Sequence, residues 1–137
     1  MTISTQTRYA IRFLVELDYC SESGAPTTLQ HIAERQGLSS NYLESIATKL
    51  KKHGYLNSYK GSGGGYSLIR DMDEITLGEI MRLMETTYFQ IHCTRDAEKT
   101  CRHYGSCRIA PVWGQLESHL DSFVDNVRLS QFTGKTL

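Results

Sequence analysis

The sequence predicts a mainly α-helical fold with a small β-hairpin and a long C-terminal helix. Three observations carry that expectation. Two short amphipathic patterns, one with Leu29, Ile32 and Ala33 and the next with Leu43, Ile46, Ala47 and Leu50, are joined by Gly37-Leu38-Ser39. Two aromatic, β-prone runs, YLNSYK and YSLIR, flank the glycine cluster GSGGG. After Pro111 apolar residues recur every three to four positions for about five turns. Helix-turn-helix followed by a hairpin is a winged helix-turn-helix.

Taken in order, Tyr9/Ala10, Phe13/Leu14, Leu17 and Cys20 form the inner stripe of a first helix, with Cys20 read as a small core residue. Gly24 and Pro26 end it. Thr27 with Gln30 reads as a capping box opening the second helix. The third helix ends at Gly54 and the hairpin follows. Thr76 with Glu79 is a second capping box, and its helix, with Leu77, Ile80, Met81 and Met84 inside, runs to about Tyr88. Pro111 suits the first turn of the last helix, whose stripe is Val112/Trp113, Leu116, Leu120, Phe123/Val124 and Val127. A stripe that long exceeds what a small domain covers, so its expected partner is the same helix of a second chain; packing on its own core is the alternative. Residues 1–75 form a winged helix-turn-helix domain. Residues 76–137 form dimerisation helices around a cysteine loop at about 88–110.

The 137 residues carry 15 Lys and Arg against 15 Asp and Glu. Residues 1–70 hold eight basic against five acidic residues, and residues 71–137 seven against ten. A mildly basic front permits DNA binding through a local patch. No stretch reaches the roughly 20 apolar residues of a membrane span, and the N-terminus lacks a signal-peptide pattern. The expected location is the reducing cytoplasm, where cysteines are thiols or ligands. No nucleophile-base pair or cofactor fingerprint appears in a recognisable context, so an enzyme is not expected. The glycine cluster lies between strands, without Gly-Lys-Ser/Thr, which disfavours a nucleotide loop.

A recognition helix presents its N-terminal residues to base edges. The candidates are Ser39, Ser40, Asn41, Tyr42, Glu44, Ser45 and Thr48. Short polar side chains bond bases or phosphates, and Glu44 can accept from a cytosine amino group; a solvated helix face is the bland alternative. Lys49, Lys51, Lys52, His53 and Lys60 ring the far end, where phosphate contact is natural. Gly61, Ser62, Gly63 and Gly64 give a slim wing whose backbone can approach a groove. Two symmetric heads would read half-sites about one helical turn apart.

Cys93, Cys101 and Cys107, spaced C-x7-C-x5-C, lie in the polar segment HCTRDAEKTCRHYGSCRIAP. With so little apolar surface to bury, a metal or cluster held by soft thiolates is the expected ordering device. Two readings stay open: a Cys3His zinc site, though C-x2-C pairs are absent, and a thiol switch that forms a disulfide. A scaffold for metal handling is a further alternative.

The runs RYAIRFL, IAERQGLSSNYLESIATKLKKHGYLNSYKGSGGGYSL and TLGEIM, with the cysteine loop, closely resemble the Rrf-type transcription regulators, in their three-cysteine Fe–S branch of IscR-, NsrR- and RirA-like members. The resemblance covers nearly the whole chain and is densest from Ile32 to Leu68. It implies a homodimer with a crossed C-terminal helix, bound to an operator in double-stranded DNA. It also implies an Fe–S cluster, [4Fe-4S] or [2Fe-2S], on Cys93, Cys101 and Cys107 near the dimer interface. The DNA-reading Glu falls on Glu44 and the wing on Lys60–Tyr66. Three positions depart from the pattern: Ala110, Arg8 and Arg12 stand where other branches place a fourth ligand. The seven-residue gap between the first two cysteines is that of RirA-like members. The fourth-ligand candidates are His103 or His92, with Asp96, Glu98, a small thiol or water as alternatives.

Overall fold

A computed structural model of the chain describes residues 2–21, 24–86, 89, 91–95 and 97–134, with the backbone alone at 92, 95 and 97. Helix α1 (Thr5–Cys20) opens at Ser4, whose hydroxyl accepts the Thr7 N–H. Its inner stripe, Ala10, Phe13, Leu14 and Leu17, is fully buried. Cys20 is not in that core: it is half-exposed and its thiol faces the Glu16 carboxylate at 3.7 Å. The stripe runs out one turn earlier, because Glu16 recruits the polar neighbours described below.

Helix α2 (Leu29–Gln36) is capped by Thr28, which accepts the His31 N–H, and not by Thr27. Thr27 is engaged elsewhere: its N–H and C=O pair with Tyr66 at 2.9 and 2.8 Å, tying the start of the helix-turn-helix to the wing. Gly37 ends α2 in the left-handed conformation that a sharp turn needs. Helix α3 (Ser40–Lys52) buries Leu43, Ile46, Ala47 and Leu50 completely.

Strands β1 (Leu56–Tyr59) and β2 (Gly65–Leu68) pair antiparallel, Leu56 opposite Leu68 and Tyr59 opposite Gly65. Gly65 has φ +140°, and a Cβ there would run into the Thr27 backbone, so the wing–α2 seam requires glycine. Tyr66 packs edge-on against Phe13, centroids 6.2 Å apart.

Helix α4 (Leu77–Met84) carries both halves of the Thr76/Glu79 capping box. It stops at Met84, and Tyr88, where the pattern had placed its end, lies outside the described residues. The cysteine segment contains two short helical turns, α5 (His92–Arg95) and α6 (Ala97–Thr100). Helix α7 (Ala110–Asn126) has Pro111 in its first turn. The chain then folds back: Val127 O accepts from Leu77 N, Leu129 N donates to Ile75 O, and Leu129 is fully buried. A 3-10 turn, Leu129–Phe132, follows. Of the α7 stripe only Val124 is buried, against Met81. Val112, Trp113, Leu116 and Phe123 are exposed. No helix among the described residues is long and apolar enough to cross a membrane.

Candidate nucleic-acid interface and cysteine cavity

The α3 face opposite its buried stripe presents Ser39, Ser40, Asn41, Tyr42, Glu44, Ser45 and Thr48 to solvent. Ser45 and Thr48 donate their hydroxyls to the Tyr42 and Glu44 carbonyls, both at 2.8 Å. Their lone pairs stay outward, so toward a ligand they act as acceptors. Tyr42 meets the edge of Tyr9 at 5.6 Å, linking the start of α3 to α1. Lys52, His53 and Lys60 are exposed, while Lys49 is half-buried. In the wing, Gly61, Ser62 and Gly63 are exposed and Gly64 is buried, its N–H closing a turn to Gly61 O at 3.0 Å.

The turn between α2 and α3 is braced by residues to which the sequence reading gave no structural role. Glu16, almost fully buried, accepts from Arg35 and from Gln36 Nε2 (2.7 Å). Arg12 donates to the Gln36 side chain (2.8 Å) and to its carbonyl (3.0 Å). Four side chains, Arg12 and Glu16 of α1 with Arg35 and Gln36 of α2, thus hold the end of α2, and with it the approach of α3. A signal was available: Glu16 sits in the 3–4 register of Phe13, Leu17 and Cys20, where a carboxylate needs partners. Burial and the Glu16 charge both push the Cys20 thiol up, which favours its protonated, unreactive form.

Cys93, Cys101 and Cys107 line one cavity of about 250 Å3, together with Tyr104, Gly105, Ala110 and Pro111. All three are free thiols; Cys93 is exposed and the other two half-exposed. Ala110, where a fourth ligand is missing from the sequence, is therefore in the cavity wall. His103 is exposed and not among the lining residues; Arg8 bonds Thr5. Asp96 and the His92 side chain lie outside the described residues. The cavity is anchored to α7: the single hydroxyl proton of Thr94, next to Cys93, is shared between the buried Glu117 carboxylate and Ile91 O (2.8 Å). Among the described residues no three His, Cys, Asp or Glu side chains gather around one metal ion. The donor set still fits a cluster, which is held by thiolates on separate irons and needs them spread around a cavity.

A family profile described as "Rrf2: Iron-dependent Transcriptional regulator" matches residues 3–135. The HTH-type transcriptional regulator IscR of Cronobacter sakazakii is 32% identical over 131 residues, 96% of this chain and 79% of that protein. The solved structure of T. potens IscR superposes with a TM-score of 0.73 at 27% identity, covering 100% of this chain and 89% of that one. CymR (YrzC), the global cysteine regulator of B. subtilis, gives a TM-score of 0.74 at 26% identity, covering 100% and 99%.

Proposed function

The chain belongs to the Rrf2 family of transcriptional regulators, and from that membership we propose that an iron–sulfur cluster held by Cys93, Cys101 and Cys107 controls its binding to operator DNA. As a regulator of this family it binds DNA and is not an enzyme. The observation that carries the finer reading is the shared cavity of the three cysteines at the start of α7.

In this reading residues 1–75 are the DNA-reading head and 76–137 the dimerising and sensing part. Two copies cover each other's exposed α7 stripe and present two recognition helices to a roughly palindromic operator. Ser39, Ser40, Asn41, Glu44, Ser45 and Thr48 meet base edges or phosphates, and Lys52 and Lys60 phosphates. A bound cluster supplies iron that oxidants, nitric oxide or chelators can attack. The protein's part is to hold three thiolates in one wall. Ala110 offers no donor there, which leaves one side without protein ligation. The cytoplasm is the compartment in which such thiols stay reduced.

A second reading, a cluster-free thiol switch, is favoured by the three free thiols around one solvent-accessible cavity. One experiment separates the two. Protein purified without oxygen is assayed for iron, acid-labile sulfide and zinc, and for DNA affinity before and after bleaching. Equal iron and sulfide, absorption lost in air or nitric oxide, and a changed affinity support the cluster. Cys101→Ala should lose the iron and keep the helical content. Colourless protein with zinc, or without metal and with oxidisable thiols, refutes the cluster and leaves the winged-helix regulator standing.

A further inference from the structure

Glu85 stands at the junction between the DNA-reading head and the cysteine-bearing segment. It is the C-cap residue of α4; its N–H still bonds Met81 O at 2.8 Å, while its own backbone is extended (φ −89°, ψ 134°). Helix α4 ends here, and Cys93 follows eight residues later. Its carboxylate Oε1 accepts two bonds from the start of α1: Ser4 N–H at 2.8 Å and the Thr7 hydroxyl at 2.5 Å. Thr7 is fully buried, so Glu85 satisfies a hydroxyl that water does not reach. Ser4 is itself the cap of α1.

Burial acts to raise the Glu85 carboxyl, but the Thr7 hydroxyl, the Ser4 N–H and hydroxyl and the Lys49 charge outweigh it, and the group lies below the usual carboxylate range. Lys49 belongs to α3, where it is half-buried. One side chain thus joins the end of α4 to the first turn of α1.

We propose that Glu85 is the positioning residue that couples the cysteine-bearing segment to the DNA-reading head. A displacement of the segment at residue 85 must either carry the first turn of α1 with it or break the bonds to Ser4 and Thr7. Either outcome gives a two-state joint of the kind that transmits a switch. That the displacing event is loss or gain of a cluster rests on the reading above; the joint itself does not.

The coupling is reciprocal by thermodynamic linkage, which makes it testable with and without a cluster. The probe is a DNA duplex selected from a random pool by the full-length wild-type protein. In cluster-free protein, the iodoacetamide labelling rate of Cys93, Cys101 and Cys107 is measured with and without this duplex. In cluster-loaded protein, duplex affinity is compared before and after bleaching. Glu85→Ala removes the joint. Thr7→Val is nearly isosteric, removes only the donor, and guards against a folding defect in the first variant.

Wild type should show ratios in the range of about 5- to 150-fold typical of allosteric coupling. Both variants should bring them to within about twofold of one, with circular dichroism unchanged. Variants that keep the wild-type ratios overturn the proposal, and so does a wild-type labelling ratio of one. If the protein holds no iron but the labelling ratio collapses in the variants, the cluster reading fails and the joint stands. If iron is present and the variants keep the holo–apo difference, the joint fails and the cluster reading stands.

Discussion

Phe123 and Val124 are neighbours on α7 with opposite fates, and that contrast makes the proposed dimer testable. Phe123 is 65% exposed, and Val112, Trp113 and Leu116 on the same helix are exposed with it. Val124 is 4% exposed against Met81. Burying a large apolar side chain contributes about 1.5–3 kcal/mol. With two-thirds of Phe123 still to be covered, each copy gains about 1–2 kcal/mol on association. A two-fold interface counts the residue twice, so Phe123→Ala should cost the dimer about 2–4 kcal/mol. At about 1.4 kcal/mol per decade, that weakens dimerisation roughly 30- to 700-fold. Sedimentation equilibrium over a dilution series reads this directly. Val124→Ala instead removes two carbons from the chain's own core, costing about 2 kcal/mol of folding stability. Its main effect should be a lower thermal midpoint, with dimer affinity little changed. A Phe123→Ala dimer as tight as wild type, or a wild-type protein monomeric at micromolar concentration, would refute the assignment of this face to a second copy.

Other predictions concern the recognition helix, the wing and the α4 cap. Glu44→Ala should relax preference at one base position by about 1–3 kcal/mol while weakening the best site less; selection from randomised duplexes reads this, and an equal loss on every sequence would remove Glu44 from base reading. Gly65→Ala forces a side chain into a positive φ and against the Thr27 backbone, so it should destabilise the fold by about 2 kcal/mol or more; an unchanged thermal midpoint would deny the wing–α2 seam. Burial raises the Glu79 carboxyl, but the Thr76 N–H, the Arg70 guanidinium and the Thr76 hydroxyl outweigh it and hold it below the usual range. A depressed folded-state pKa gives stability that is present above the unfolded pKa and lost as pH falls through the folded one. The stability gap between wild type and Glu79→Gln should therefore be largest near neutrality and close below about pH 5; a gap that is constant or widens in acid contradicts the capping-box geometry.

The elements that the sequence revealed are those whose signal is local. The α3 stripe, the Thr76/Glu79 box and Pro111 each act within one or two turns, and each stands where the pattern placed it. The misplaced α2 cap shows the limit. Thr27 and Thr28 are equivalent by propensity, and the choice falls to Thr28 because Tyr66, 39 residues away, takes the Thr27 backbone. The return of the chain at Leu129 is likewise set by partners at Met72, Ile75 and Leu77, which no short window contains. The three cysteines were legible as a set from their chemistry; that Ala110 and Pro111 complete the same cavity wall needed the fold.

Three carboxylates tie separate elements of the regulator together. Glu16 fixes the end of α2, Glu85 fixes the root of the cysteine segment, and Glu117 fixes Thr94 beside Cys93. Each bonds donors on another element, and Glu16 and Glu117 are almost fully buried. Such contacts are directional and of short range, so a modest displacement breaks them, whereas a greasy contact of equal area would slide. In the proposed coupling, the bonds from Ser4 and Thr7 to Glu85 are the contacts through which a change in the cysteine segment would reach α1.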